Sequence, residues 1–140
     1  MNVMEITVDH LGDVQFEVKA RQHTLICDQP AEAGGFDEGI TPPEFLLAAL
    51  GTCAGYYAVQ YLKAQKILTT GLRIRTSAGK EKAPARMDHF MIEIEYPAGL
   101  GDRDRQGVLD SVKKCLIHNT LTHPPEIGVK LVSPELATAR

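Results

Sequence analysis

The 140-residue sequence predicts an α+β fold in a single domain spanning residues 1–140. Three observations carry that expectation. Residues 42–63 form one long apolar stretch with clear helix-start signals. Segments on either side of it alternate apolar and polar residues, as half-buried strands do. Glycine- and proline-bearing turns, rather than long helical periods, separate those segments.

In chain order, Glu5-Ile-Thr-Val-Asp9 and Val14-Gln-Phe-Glu-Val-Lys19 predict an antiparallel hairpin joined at Leu11-Gly12-Asp13. Its second strand turns Val14, Phe16 and Val18 inward and Gln15, Glu17 and Lys19 outward. Thr24-Leu-Ile-Cys27 is a third strand, stopped by Asp28-Gln29-Pro30. Residues 31–40 are a glycine-rich acidic connection. Gly34-Gly35 makes a flexible turn there, but no Lys-Ser/Thr follows, so it is not a phosphate-binding loop.

Thr41 is a suitable N-cap for the long helix, Pro42 suits its first turn, and Glu44 closes a capping box. From Phe45 to Ala58 no residue is charged and apolar positions run round every side, which predicts burial from all directions. A membrane span needs roughly 20 mainly apolar residues, whereas about 15 here give way to Gln60, Lys63 and Gln65. A core helix is the expectation. Gly51 and Gly55 form a GxxxG that, with Ala48, Ala49, Thr52 and Ala54, suits close helix–helix contact within or between chains.

Beyond a stop at Gly71, Leu72-Arg-Ile-Arg-Thr76 and Phe90-Met-Ile-Glu-Ile-Glu-Tyr96 are strands of a second hairpin, with Ala78–Pro84 as a long exposed turn. After a loop over Pro97–Gly101, a second helix begins near Asp102 or Asp104. It carries Val108, Val112 and Cys115 on one side, with Leu109 and Leu116 beside them. Pro124-Pro125 ends helical structure, and Ile127-Gly-Val-Lys-Leu-Val132 is a last strand before a polar tail.

Composition narrows the function classes. A net charge of −3 with both signs scattered, and no dense basic run, argues against nucleic acid or an anionic membrane as the main partner. The N-terminus lacks the basic and apolar regions of a signal peptide, so a cytoplasmic location is expected. The three cysteines, Cys27, Cys53 and Cys115, are too widely spaced for a CxxC motif, and their odd number argues against a structural disulfide framework. No metal site or cofactor is expected. Cys53 and Cys115 both face the core, either as small buried fillers or as a working pair if their helices cross. His118 and His123 fit the negative end of a helix, and Cys27 is a buried strand-end filler. Tyr56, Tyr57 and Tyr61 are core or dimer contacts, or the lining of an apolar pocket.

Thr41-Pro-Pro-Glu-Phe-Leu-Leu-Ala-Ala-Leu-Gly-Thr-Cys53 and Cys115-Leu-Ile-His-Asn-Thr-Leu121, with Gly34-Gly35 upstream, closely resemble the two cysteine motifs of the OsmC/Ohr family of thiol peroxidases. The element order fits along nearly the whole chain. The resemblance implies an OsmC-like fold, with antiparallel sheets around a cysteine-bearing central helix, in an intertwined homodimer with active sites at the subunit interface. It implies reduction of organic hydroperoxides, with Cys53 as the peroxidatic cysteine and Cys115 as the resolving one. Dihydrolipoamide or a lipoylated protein would be the dithiol reductant. The family also supplies an arginine from the N-terminal strands, which points to Arg21, the sole arginine before Arg73. That arginine is oriented by a glutamate near the start of the central helix, which points to Glu44. Here the sequence departs from the hydroperoxide-resistance branch, because counting from Cys53 places Pro43 at the glutamate position. One residue turns a helical side chain by about 100°. Glu44 is then only a capping residue, and the arginine is held by Asp37, by Glu38 or by no carboxylate. Two further readings of the same fold are a module binding a small hydrophobic ligand and a slow redox sensor.

Overall fold

A computed structural model describes residues 2–134. Among the described residues the chain forms two antiparallel sheets, three α-helices and a short 3-10 turn at Ala31–Ala33, the α+β class expected. Strands β1 (Thr7–Gly12), β2 (Gln15–Ala20) and β3 (His23–Cys27) make one meander, and β4 (Arg73–Lys82) and β5 (Ala85–Glu95) make a separate ribbon. Helix α1 (Pro42–Ala64) lies between them in sequence, and α2 (Asp102–Val112) and α3 (Leu116–Thr122) follow.

The first turn is displaced from its expected place. Gly12 pairs with Gln15, so Asp13 and Val14 form the turn, and β1 starts at Thr7 rather than Glu5. Asp13 takes the left-handed φ of 45° that an acidic turn residue tolerates. In the second hairpin Lys82 pairs with Ala85, so the segment expected to be a long exposed turn is mostly ladder, with a bulge at Ala78 and a turn at Ala83-Pro84 outside it. Polar composition hid strands whose outer faces are solvated, with Arg75 pairing to Glu93 and Glu95 across the ribbon.

The core forms where the ribbon and α2 close on α1. Ala54, Ala58 and Leu62 of α1 meet Val108 and Val112 of α2, with Ile74, Ile92 and Ile94 of the ribbon packed against them. Tyr61 joins α1 to α2 by donating to Asp104 Oδ1 at 2.9 Å, and Gly107 lies so close under its ring that any Cβ would collide with it. This is one place where only glycine fits.

Two expectations fail around α1 and one holds. Its fully buried residues are Leu50, Ala54, Ala58 and Leu62, a single stripe, whereas Tyr56 on the opposite side is 60% exposed. Burial on all sides is therefore not achieved within one chain. The glycines of the GxxxG face strand β4 instead of another helix: a Cβ on Gly51 would lie 3.3 Å from Thr76 Cγ2, and one on Gly55 3.4 Å from Ile74 Cγ1. The helix, long and apolar enough to cross a membrane, packs instead on α2, β4, α3 and β5 of its own chain.

At the C-terminal side, Ile127–Val132 joins no ladder, and Val129 and Leu131 are almost wholly exposed. Its alternation suits a strand, but neither sheet of this chain offers it a partner. The polar tail, from residue 135 on, lies outside the described residues.

Candidate active site

The start of α1 follows the sequence closely. Glu44 N donates to Thr41 Oγ1 at 3.4 Å, and Thr41 N and Oγ1 both donate to Glu44 Oε1 at 2.9 Å. Those Thr41 donors hold the Glu44 carboxyl below the usual carboxylate value. Glu44 is exposed and occupied as a cap, which is what its one-residue displacement in the motif suggests.

Cys53 lies three turns along α1, half-buried, on the side that α3 covers. Cys115 does not sit on the second helix as expected. Helix α2 ends at Val112, Cys115 takes an extended ψ of 128°, and it becomes the N-cap of a separate short helix. Neither Lys113 nor Lys114 is a helix breaker, so nothing in the sequence marks that break. Leu109 and Leu116, expected beside Cys115, are exposed, while Cys115 itself is wholly buried.

The consequence is chemical. Cys115 Sγ accepts from the backbone N–H of His118 at 3.4 Å, and the Cys53 side chain lies near enough to influence its thiol. Burial, first, and the adjacent Cys53 sulfur push the Cys115 thiol above its ordinary value, against the backbone N–H donors of His118 and Ile117. The structure thus brings together two of the four expected site residues, as free thiols, one half-exposed and one sealed.

Arg21 is not brought to them by its own chain. It occupies the tip of the β2–β3 turn, exposed, with a left-handed φ of 56°. Cys27 stands at the end of β3, where burial and then the Asp28 carboxylate push its thiol up. His123 caps the end of α3, its Nδ1 3.0 Å from Asn119 O, as a helix-end histidine should. Among the described residues no cluster of three His, Cys, Asp or Glu side chains suits a metal. Between β3 and α1 runs an open apolar groove of ≈ 660 Å³, lined by Leu25, Ile26, Ile40, Phe45 and Ala49 among others. Of the three tyrosines, Tyr61 is a core contact and none lines that groove.

Sequence reading missed Asp28, which there marks only the end of a strand. Its wholly buried carboxylate accepts from Gln29 N at 2.7 Å, Gln15 Nε2 at 3.0 Å, Phe36 N at 3.1 Å and Glu38 N at 3.2 Å. The loop through Gly34-Gly35 is wrapped round this group. A Cβ on Gly35 would collide with the Gln29 carbonyl, so its role is close approach. Burial by itself would raise the Asp28 carboxyl, but the Gln29, Gln15, Glu38 and Phe36 donors outweigh it and hold the group below the usual carboxylate value of 3.8. A depressed carboxyl contributes stability that is fully present above the unfolded value and lost as pH falls through the folded one. Asp28→Asn should therefore lower the thermal midpoint by several degrees at pH 7, and the gap from wild type should close below pH 3.8. Thermal melts of both proteins from pH 7 down to acid check this; a gap that persists unchanged in acid would contradict it.

An α+β domain with two of its three cysteines at the junction of a long central helix and a short C-terminal one is the class that fold and site define. The family model of OsmC-like proteins matches residues 35–130. The chain belongs to the OsmC-like family. A search of curated proteins returns no significant match. Solved structures resemble it in fold at low identity. One, from Psychrobacter arcticus 273-4 and provisionally described as an osmotic stress induced and detoxification response protein, has a TM-score of 0.77 at 18% identity, over 86% of this chain and 89% of that one. An OsmC-like protein from Mycoplasma pneumoniae has a TM-score of 0.71 at 19% identity, over 88% and 89%. An organic hydroperoxide resistance protein from Legionella pneumophila has a TM-score of 0.59 at 15% identity, over 86% and 91%.

Proposed function

We propose that this protein is a cysteine-based peroxidase that reduces organic hydroperoxides in the cytoplasm, as part of oxidative or osmotic stress defence. The observation that carries the reading is the pairing of a half-exposed Cys53 with a buried Cys115 in an OsmC-like chain. The Cys53 thiolate attacks the terminal peroxide oxygen; the O–O bond breaks, the alkoxide takes a proton and leaves as alcohol, and Cys53 is left as sulfenic acid. Cys115 sulfur then attacks the Cys53 sulfur. Hydroxide is displaced, takes the thiol proton and leaves as water, and a disulfide joins the two. A dithiol such as dihydrolipoamide, free or on a lipoylated protein, reduces it again. The high-lying thiol of Cys115 suits the second role, since it does not compete as a thiolate for peroxide.

The working unit is a homodimer. What supports this is the apolar surface one chain leaves open: Tyr56 on α1, Val8 and Leu25 on the meander, and Val129 and Leu131 near the C-terminus. In that assembly Arg21, remote from its own chain's thiols, reaches the partner's cysteine pair and stabilises thiolate and departing alkoxide. Arg21→Gln should lower kcat/KM for cumene hydroperoxide by about 10²-fold with the fold intact. An unchanged kcat/KM would remove Arg21 from the site.

The groove between β3 and α1 favours a second reading, a module for a small hydrophobic ligand. Consumption of cumene hydroperoxide and of hydrogen peroxide with reduced dihydrolipoamide separates the two. The peroxidase turns over, preferring the organic peroxide; the module leaves peroxide at the background rate, and its ligand binding survives Cys53→Ser.

A further inference from the structure

Among the described residues, one buried side-chain nitrogen has no hydrogen-bond partner: His118 Nδ1. A buried polar atom left unpaired is uncommon and calls for a reason. His118 is also the residue whose backbone N–H contacts Cys115 Sγ, at 3.4 Å. Standard bond lengths then keep the ring nitrogen Nδ1 within roughly 8 Å of that sulfur. Helix α3 packs on α1, so this corner of the molecule is the one where the two thiols meet.

The resolving step poses a problem that this placement answers. Cys115 is sealed from solvent, and its burial disfavours the thiolate it must become. Attack on a Cys53 sulfenic acid must also expel hydroxide, a poor leaving group unless it is protonated. Both needs are met by one group that removes the Cys115 proton and delivers it to the departing oxygen. We propose that His118 is that group. Resting on the peroxidase reading above, the inference assigns His118 to the second chemical step only. The imidazole takes the Cys115 proton, directly or through one water, as the S–S bond forms and the S–O bond of Cys53 breaks; the same proton converts the leaving hydroxide to water. The step consumes one sulfenic acid and one thiol and yields one disulfide and one water. Before oxidation no such oxygen is present, which accounts for an Nδ1 without a partner in the reduced protein.

The test is a rapid-quench oxidation of fully reduced protein with one equivalent of cumene hydroperoxide, following sulfenic acid by dimedone capture and disulfide by peptide mass. Wild type, His118→Gln and His118→Asn are compared, with thermal melts to show that the variants fold. The expected result is sulfenic acid appearing at the wild-type rate but disulfide forming about 10²-fold more slowly in either variant. Added imidazole should restore that second rate in His118→Gly, in proportion to its free-base concentration. Disulfide formation at the wild-type rate in a folded variant overturns the assignment. So does a slowed rate in His118→Gly that imidazole leaves unchanged, since that is the behaviour of a structural residue. A wild type that keeps all its thiols overturns the peroxidase reading first and the role of His118 with it.

Discussion

Cys53→Ser is expected to lower dithiol-dependent reduction of cumene hydroperoxide by about 10³-fold or more, to the background rate, while the protein stays folded. The magnitude follows from the chemistry: a hydroxyl is far less nucleophilic toward peroxide oxygen than a thiolate, and no other thiol in the chain is placed to substitute. Cys115 is wholly buried, and the Cys27 thiol is pushed up by its burial and by Asp28. Fold should survive because Cys53 is half-buried and the core stripe runs through Leu50, Ala54, Ala58 and Leu62 instead. Cys115→Ser should behave differently. It should still accept one oxidising equivalent at Cys53 and then hold a sulfenic acid that dimedone captures. Peroxidase assays and mass measurement on the two variants check both statements; equal residual turnover in wild type and Cys53→Ser would contradict the first.

Leu62→Ala should cost about 2–5 kcal/mol of stability, the largest effect expected from a single core substitution here. Leu62 is fully buried in the cluster it forms with Ala54, Ala58, Val108 and Val112, against which Tyr96 and Leu100 also pack. Its removal leaves a space between a helix and a ribbon that cannot both close on it. A small domain has only about 5–15 kcal/mol to lose, so the variant should unfold at clearly lower denaturant with an unchanged slope. Equilibrium urea unfolding measures this. A loss under about 1 kcal/mol would mean that α2 can collapse onto α1, and that the core is looser than its packing indicates.

The capping box at Thr41 and Glu44, the span of α1, the order of strands and helices as far as α2, and the inward direction of Cys53 and Cys115 were legible in the sequence. Each depends on local chemistry: a hydroxyl and a carboxylate three residues apart, a period of 3.6 or of 2, a glycine or proline stop. What was not legible depends on partners remote in sequence. Asp28 becomes the centre of a loop only because Gln15 and the backbone of Phe36 and Glu38 converge on it. Helix α2 ends before Cys115 without any breaker residue, because Cys115 there caps the next helix with its sulfur. Gly51 and Gly55 meet a strand, since small residues permit close approach without specifying what approaches. The segment 127–132 alternates like a strand yet joins no ladder among the described residues, because alternation marks a face without supplying an edge to pair with.

The pairing of Cys53 with Cys115 is the centre of the account, and one measurement addresses it directly. Fully reduced wild-type protein is treated with one equivalent of cumene hydroperoxide per chain, its remaining thiols are counted, and any disulfide is mapped by peptide mass. The expected result is loss of two of the three thiols, a Cys53–Cys115 linkage, and a free Cys27. Three thiols remaining, or a linkage that includes Cys27, would contradict it.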